Sequence, residues 1–277
     1  MTERDVVNRD GLRLHIRDVG RGPVVLFIHG WSLSGGAWDR QLRVVAEAGY
    51  RAIAMDMRGH GGSDAPLTGY DIADLTGDAL DVLRWATADS ATADSGAAGR
   101  ATVVGWSLGG MVGLRLAADH PEVVRSLVMV ASNGVAASRT ENYPFGVPAE
   151  VPLTGILAAE HADRIGLRRK AIGDPFKTPP APETLDWLHR ISLQTPSWAA
   201  MAAMRTLMCT DQTASLAQIT VPVTQIIGTA DPALSLRGAR WVREQLGSRL
   251  VELDCGHYPM LEQADEFDSA LLAALSG

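Results

Sequence analysis

Residues 102–116 read TVVGWSLGGMVGLRL, a β-branched run that halts at Gly105-Trp106-Ser107-Leu108-Gly109 and continues as an apolar helical pattern. G-x-S-x-G between a strand and a helix is the setting of a nucleophilic serine. Glycines two residues before and after Ser107 leave room for strand and helix to approach. The hydroxyl is lifted above the sheet edge, at a helix N-terminus whose free N–H groups favour developing negative charge. In a chain with 28 glycines the pentapeptide alone is weak evidence, and a small serine packed at a helix start is the competing reading. The flanking pattern and the partners decide between them.

A serine hydroxyl is a poor nucleophile at neutral pH and needs a base in hydrogen-bond reach, itself oriented by a carboxylate. Val221-Pro222-Val223-Thr224-Gln225-Ile226-Ile227 reads as a buried strand, and Gly228-Thr229-Ala230-Asp231-Pro232 follows it as a turn. The next strand ends at Asp254-Cys255-Gly256-His257-Tyr258-Pro259, which puts His257 in the loop after it. None of the other six histidines, at 15, 29, 60, 120, 161 and 189, follows a late strand. His257 is the candidate base and Asp231 the candidate carboxylate. Asp254, near His257 in sequence, and Asp211 or Asp56 remain alternatives to Asp231.

Strands are expected at 12–19, 24–28, 50–55, 101–104, 123–130, 221–227 and 250–253, with helices at 37–48, 70–86, 109–119, 236–246 and 262–275. This alternation predicts an α/β fold with a mostly parallel, doubly wound sheet. From Asn133 to about Asp211 the rhythm changes: prolines cluster, and helical segments rich in Leu, Ala, Met and Trp lie between them. Residues 1–133 and 212–277 thus read as two parts of one core, flanking a helical lid insertion at 134–211. Such a lid would sit over the C-terminal sheet edge, where open α/β sheets bind ligands. Residues 86–95 spell ATADS twice and read as a floppy surface loop between helix and strand.

With 277 residues, 46% hydrophobic and 21% charged, the chain suits one large soluble domain. The charged N-terminus lacks a signal-like apolar stretch, so a cytoplasmic location is the expectation. A net charge of −7 argues against nucleic acid or an anionic membrane as partner. The one basic run, Arg168-Arg169-Lys170, reads as a solvated helix face. Cys209 and Cys255 offer neither a disulfide framework nor a metal spacing, and no cofactor or metal is expected.

The segments FIHGW, DMRGHGGSD, VVGWSLGG, VPVTQIIGTADP and CGHYPMLEQADEF together resemble the lidded α/β-hydrolase superfamily, whose triad runs in the order Ser, Asp, His. The stretches HGWSLSGGAW and GYRAIAMDMRGHGGSD are similar to the bacterial aryl-esterase and cofactor-free haloperoxidase-perhydrolase group. The resemblance implies an oxyanion hole from the backbone N–H groups of Trp31 and Leu108, with structural roles for His29 and Arg58. A proline shortly after the HGW turn favours perhydrolysis in that group. Here Ser32-Leu33 stands there instead, which argues against dedicated peracid formation.

The expected activity is serine-dependent hydrolysis of a carboxylic ester or lactone of a small apolar substrate, through an acyl-enzyme. C–C bond hydrolysis of a dienoic ketone, perhydrolysis, and a low-turnover ligand-binding module are the alternatives. Trp106, Trp187, Trp198, Met201, Met204 and Met208 are candidates for an apolar substrate pocket. Trp187, Trp198, Met201, Met204 and Met208 could equally serve only to hold lid helices together.

Overall fold

The computed structural model describes residues 1–88 and 99–277. Its sheet is built from β1 (Thr2–Val7), β2 (Arg13–Gly20), β3 (Val24–Ile28), β4 (Arg51–Met55), β5 (Ala101–Trp106), β6 (Val124–Val130), β7 (Val223–Gly228) and β8 (Arg249–Leu253). The spatial order is β1-β2-β4-β3-β5-β6-β7-β8. β1 and β2 pair antiparallel, β2 meets β4 antiparallel, and every later pairing is parallel. The helices are α1 (Asp39–Glu47), α2 (Ile72–Ala88), α3 (Leu108–Asp119), α4 (Glu150–Ala162), α5 (Arg164–Gly173), α6 (Pro182–Ser192), α7 (Ser197–Cys209), α8 (Leu236–Leu246), α9 (Pro259–Glu262) and α10 (Ala264–Ser276).

Strand β3 shows why both faces are covered. Its alternating side chains separate into two cores, Leu26 and Ile28 joining Leu75, Leu83, Val112 and Val242 of α2, α3 and α8. Val25 and Phe27 join Leu42 and Val45 of α1 and Phe267 and Leu271 of α10 on the other face. All five β3 residues are buried, each apolar side chain contributing about 1.5–3 kcal/mol on leaving water. A strand buried on both sides must be apolar throughout.

Helices α4 to α7 lie between β6 and β7 in the chain. Pro182 opens α6 at its first turn and Pro196 precedes α7, positions where a missing N–H costs nothing. Three expectations need correction. Strand β1 was not anticipated, because only Val6 of its six residues is buried and an edge strand need not alternate. The first repeat's residues 86–88 continue α2, with Ala86 buried, while the rest of the repeat, 89–95, lies outside the described residues. The basic run is not a uniform solvated face: Arg168 is fully buried, while Arg169 and Lys170 are exposed and paired with Asp186 and Asp174.

Candidate active site

Ser107 sits between β5 and α3 with φ 54° and ψ −116°, a conformation costly for a residue with a Cβ. Its N–H is held by the Val130 carbonyl at 2.9 Å. The flanking glycines are sterically required. A Cβ on Gly105 would lie 2.2 Å from the Gly109 oxygen, and one on Gly109 would lie 2.3 Å from the Ile28 oxygen. Strand, turn and helix therefore close on each other only because neither residue has a side chain.

His257 lies in the loop after β8. Its Nδ1 donates to Asp231 Oδ2 at 2.7 Å, which leaves Nε2 as the lone-pair nitrogen. Asp231 lies after β7 with its carboxylate 1% exposed, and its Oδ1 accepts from the Ala233 and Leu234 N–H groups at 2.8 and 3.1 Å. Those bonds fix the carboxylate before it meets the imidazole. The alternatives are elsewhere: Asp254 pairs with Lys177, Asp211 with Thr213, and Asp56 with Arg17 and the Gly35 and Gly62 N–H groups.

The loop carrying His257 is fastened from three sides. Its own N–H donates to the Pro175 carbonyl at 2.9 Å, and its carbonyl accepts from Trp106 Nε1 at 2.9 Å. Glu262, in α9, takes the N–H groups of Gly256 and Tyr258 on one oxygen and that of Lys177 on the other. Glu262 and Pro175 had no signal in the sequence, because their contribution is a meeting of distant loops.

Leu108 is the first residue of α3, so its N–H has no intrahelical partner. Neither the Leu108 nor the Trp31 amide N–H donates a hydrogen bond within the described residues. Leu108 follows Ser107 in the chain, and Gly30, the residue before Trp31, lies close to it: a Cβ on Gly30 would come within 3.2 Å of the Ser107 Cβ. The loop after β3 is shaped by two buried rings. His29 bonds the Gly30 carbonyl through Nδ1 and accepts the Met57 N–H through Nε2. His60 bonds the Arg58 carbonyl and accepts the Ser32 N–H. Burial away from water lowers their proton affinities to about 4 for His29 and about 3 for His60, so both stay neutral. Arg58 ties Asp78, Asp10 and the Gly69 carbonyl together.

Ser107 and His257 open into one cavity of about 640 Å³. Trp31, Trp106, Met204 and Met208 line it, together with residues that sequence reasoning did not select, notably Met111, Ile156, Ile172 and Leu207. Trp187, Trp198 and Met201 are not on its wall. Trp187 packs half-buried against the core on the α1 side. Trp198 is 45% exposed and bonds the Pro66 carbonyl through Nε1. On α7 the cavity takes positions 204, 207 and 208, and Met201, a turn earlier on the same helical face, lies beyond its wall.

The Cys255 thiol is buried, and that burial pushes its pKa up to about 12, so it is no thiolate nucleophile. Among the described residues, no three His, Cys, Asp or Glu side chains cluster to hold a metal ion. No described helix is long and apolar enough to cross a membrane.

The chain is 31% identical over 265 residues to a pimeloyl-[acyl-carrier protein] methyl ester esterase of Nitrosomonas europaea, covering 92% of this chain and 97% of that one. An esterase from Exiguobacterium antarcticum superposes over all of both chains with a TM-score of 0.91 at 24% identity. An enol-lactonase from Burkholderia xenovorans does so with a TM-score of 0.82 at 24% identity, over 99% of this chain and 100% of that one. The sequence pattern of the alpha/beta hydrolase family matches residues 25–270. Sheet order, serine turn and profile agree, and the chain belongs to the alpha/beta hydrolase family.

Proposed function

We propose that this chain is a carboxylic-ester hydrolase that works through an acyl-enzyme on Ser107. The observation that carries the reading is the 2.7 Å bond from His257 Nδ1 to Asp231, with His257 and Ser107 on the wall of one cavity. His257 Nε2 takes the Ser107 proton as the hydroxyl attacks the ester carbonyl. Asp231 holds the imidazole tautomer and stabilises the imidazolium. The Trp31 and Leu108 N–H groups bind the tetrahedral oxyanion, each worth about 10²- to 10³-fold in rate. His257 then protonates the leaving alcohol, and a water repeats the sequence on the acyl-enzyme.

The helical segment 134–211 serves as the lid, and the core on either side of it carries the chemistry. Met111, Ile156, Ile172, Met204, Leu207 and Met208 present apolar, adaptable surface to the substrate. This favours small apolar esters or lactones, and the curated methyl ester esterase relative supports the ester class. A fluorophosphonate probe followed by mass mapping tests the reading. The adduct is expected on Ser107, with hydrolysis of p-nitrophenyl esters lost in parallel. An unlabelled serine in an active preparation would overturn it.

A further inference from the structure

Arg168 is the one member of the basic run turned inward, and nothing in the proposed proton path uses it. Its side chain is 0% exposed and its partner Glu160 1%. Nε and Nη2 donate to the two Glu160 carboxylate oxygens at 2.8 and 2.7 Å, joining α4 to α5. Nη1 donates to the Ser192 carbonyl at 2.8 Å and hydroxyl at 3.2 Å, joining both to the end of α6. The guanidinium carbon lies 5.1 Å from the centre of the Trp31 ring.

From there the contacts run into the loop after β3. Ser192 and Ser32 share a hydroxyl hydrogen bond at 2.9 Å, and Thr195 donates to the Ser32 carbonyl at 3.4 Å. Trp31 Nε1 donates to the Ala200 carbonyl of α7 at 2.7 Å. Ser32 itself has φ 58°, a left-handed conformation that a serine keeps only when its surroundings hold it there. The loop bearing the Trp31 amide is therefore braced by α5, α6 and α7, and Arg168 ties the first two of these to each other and to α4.

We propose that Arg168, neutralised by Glu160, is a positioning residue that holds the Trp31–Ser32 loop so that the Trp31 N–H points at the developing oxyanion. The inference rests on the Ser107 mechanism. Only arginine can fork onto a carboxylate, reach Ser192 and lie flat over an indole at once. A lysine can make one of these contacts.

The test compares Arg168→Lys, the matched apolar pair Arg168→Met/Glu160→Leu, and Arg169→Met on the exposed side of the same helix. Replacing both partners of a buried pair with apolar groups commonly preserves stability, so the pair separates positioning from folding. Each variant is assayed for kcat and KM on a p-nitrophenyl ester and for binding of a trifluoromethyl ketone analogue. A thermal melt and fluorophosphonate labelling accompany each assay. Arg168→Lys and the folded apolar pair are expected to lose about 10- to 100-fold in kcat with KM nearly unchanged, within the range for a weakened oxyanion donor. Ketone affinity should fall by a similar factor, and Arg169→Met should match the wild type. Folded variants with wild-type kcat and ketone affinity would overturn the role of Arg168 while leaving the Ser107 mechanism standing. Absence of labelling and turnover in the wild type would remove the mechanism itself.

Discussion

In the proposed mechanism Ser107 gives its proton to His257 while Asp231 holds the imidazole in place, so each substitution should fail in its own way. Ser107→Ala removes the attacking oxygen and is expected to lower kcat on the order of 10⁶-fold, with an unchanged thermal melt because Ser107 is not a core side chain. Asp231→Asn keeps the shape but lets the imidazole carry its proton on the wrong nitrogen. A kcat loss of about 10⁴-fold at constant KM is expected by analogy with other triads, and steady-state assays on an activated ester check it. The placement of Ser107 on a strand-to-helix turn and of His257 in the loop after a late strand was legible because the glycines constrain the backbone there. Asp231 was readable only as one of several carboxylates, since Asp254 is closer in sequence; the turn that points Asp254 at Lys177 leaves no trace in composition.

Among the elements, the serine turn stores its geometry in two missing side chains. Gly109→Ala would drive a methyl into the Ile28 carbonyl, and overpacking of this sort costs about 1–3 kcal/mol or more. A lowered melting temperature together with lost turnover is expected, unlike the unshifted melt of Ser107→Ala. Helix α7 offers the complementary case, since Met204 and Met208 face the cavity. Met208→Trp should reduce kcat/KM for long-chain esters while sparing acetate, measured across a p-nitrophenyl series. Strand β3 was readable because burial on both faces leaves an unbroken apolar run. β1 was not, since its pairing with β2 is carried by backbone bonds and charged side chains at a sheet edge. The face of α7 that meets the cavity was not readable either: its sequence, SWAAMAAMRTLMC, is apolar on several sides, and only the neighbouring helices choose among them.

For the whole molecule, acid stability follows from the two neutral rings beneath the loop after β3. Unfolded, each takes up a proton near its ordinary value of 6.5; folded, His29 holds out to about 4 and His60 to about 3. Between those limits the unfolded chain binds more protons, so stability is full above pH 6.5 and declines as the pH falls toward 4. Thermal melts from pH 8 to pH 4 should be level at the alkaline end and drop through the acid window. His60→Gln, which removes one of the two protons taken up on unfolding, should flatten that slope.

The hydrogen bond from the His257 amide to the Pro175 carbonyl means that the helices proposed as the lid and the loop proposed to carry the base are not separable modules. Replacing residues 134–211 wholesale with the corresponding helices of a relative would exchange specificity and unseat the imidazole in one step. A chimera that keeps the peptide units of 175 and 177, and with them the grip of Glu262 on Lys177, would inherit the donor's preferences without forfeiting its chemistry.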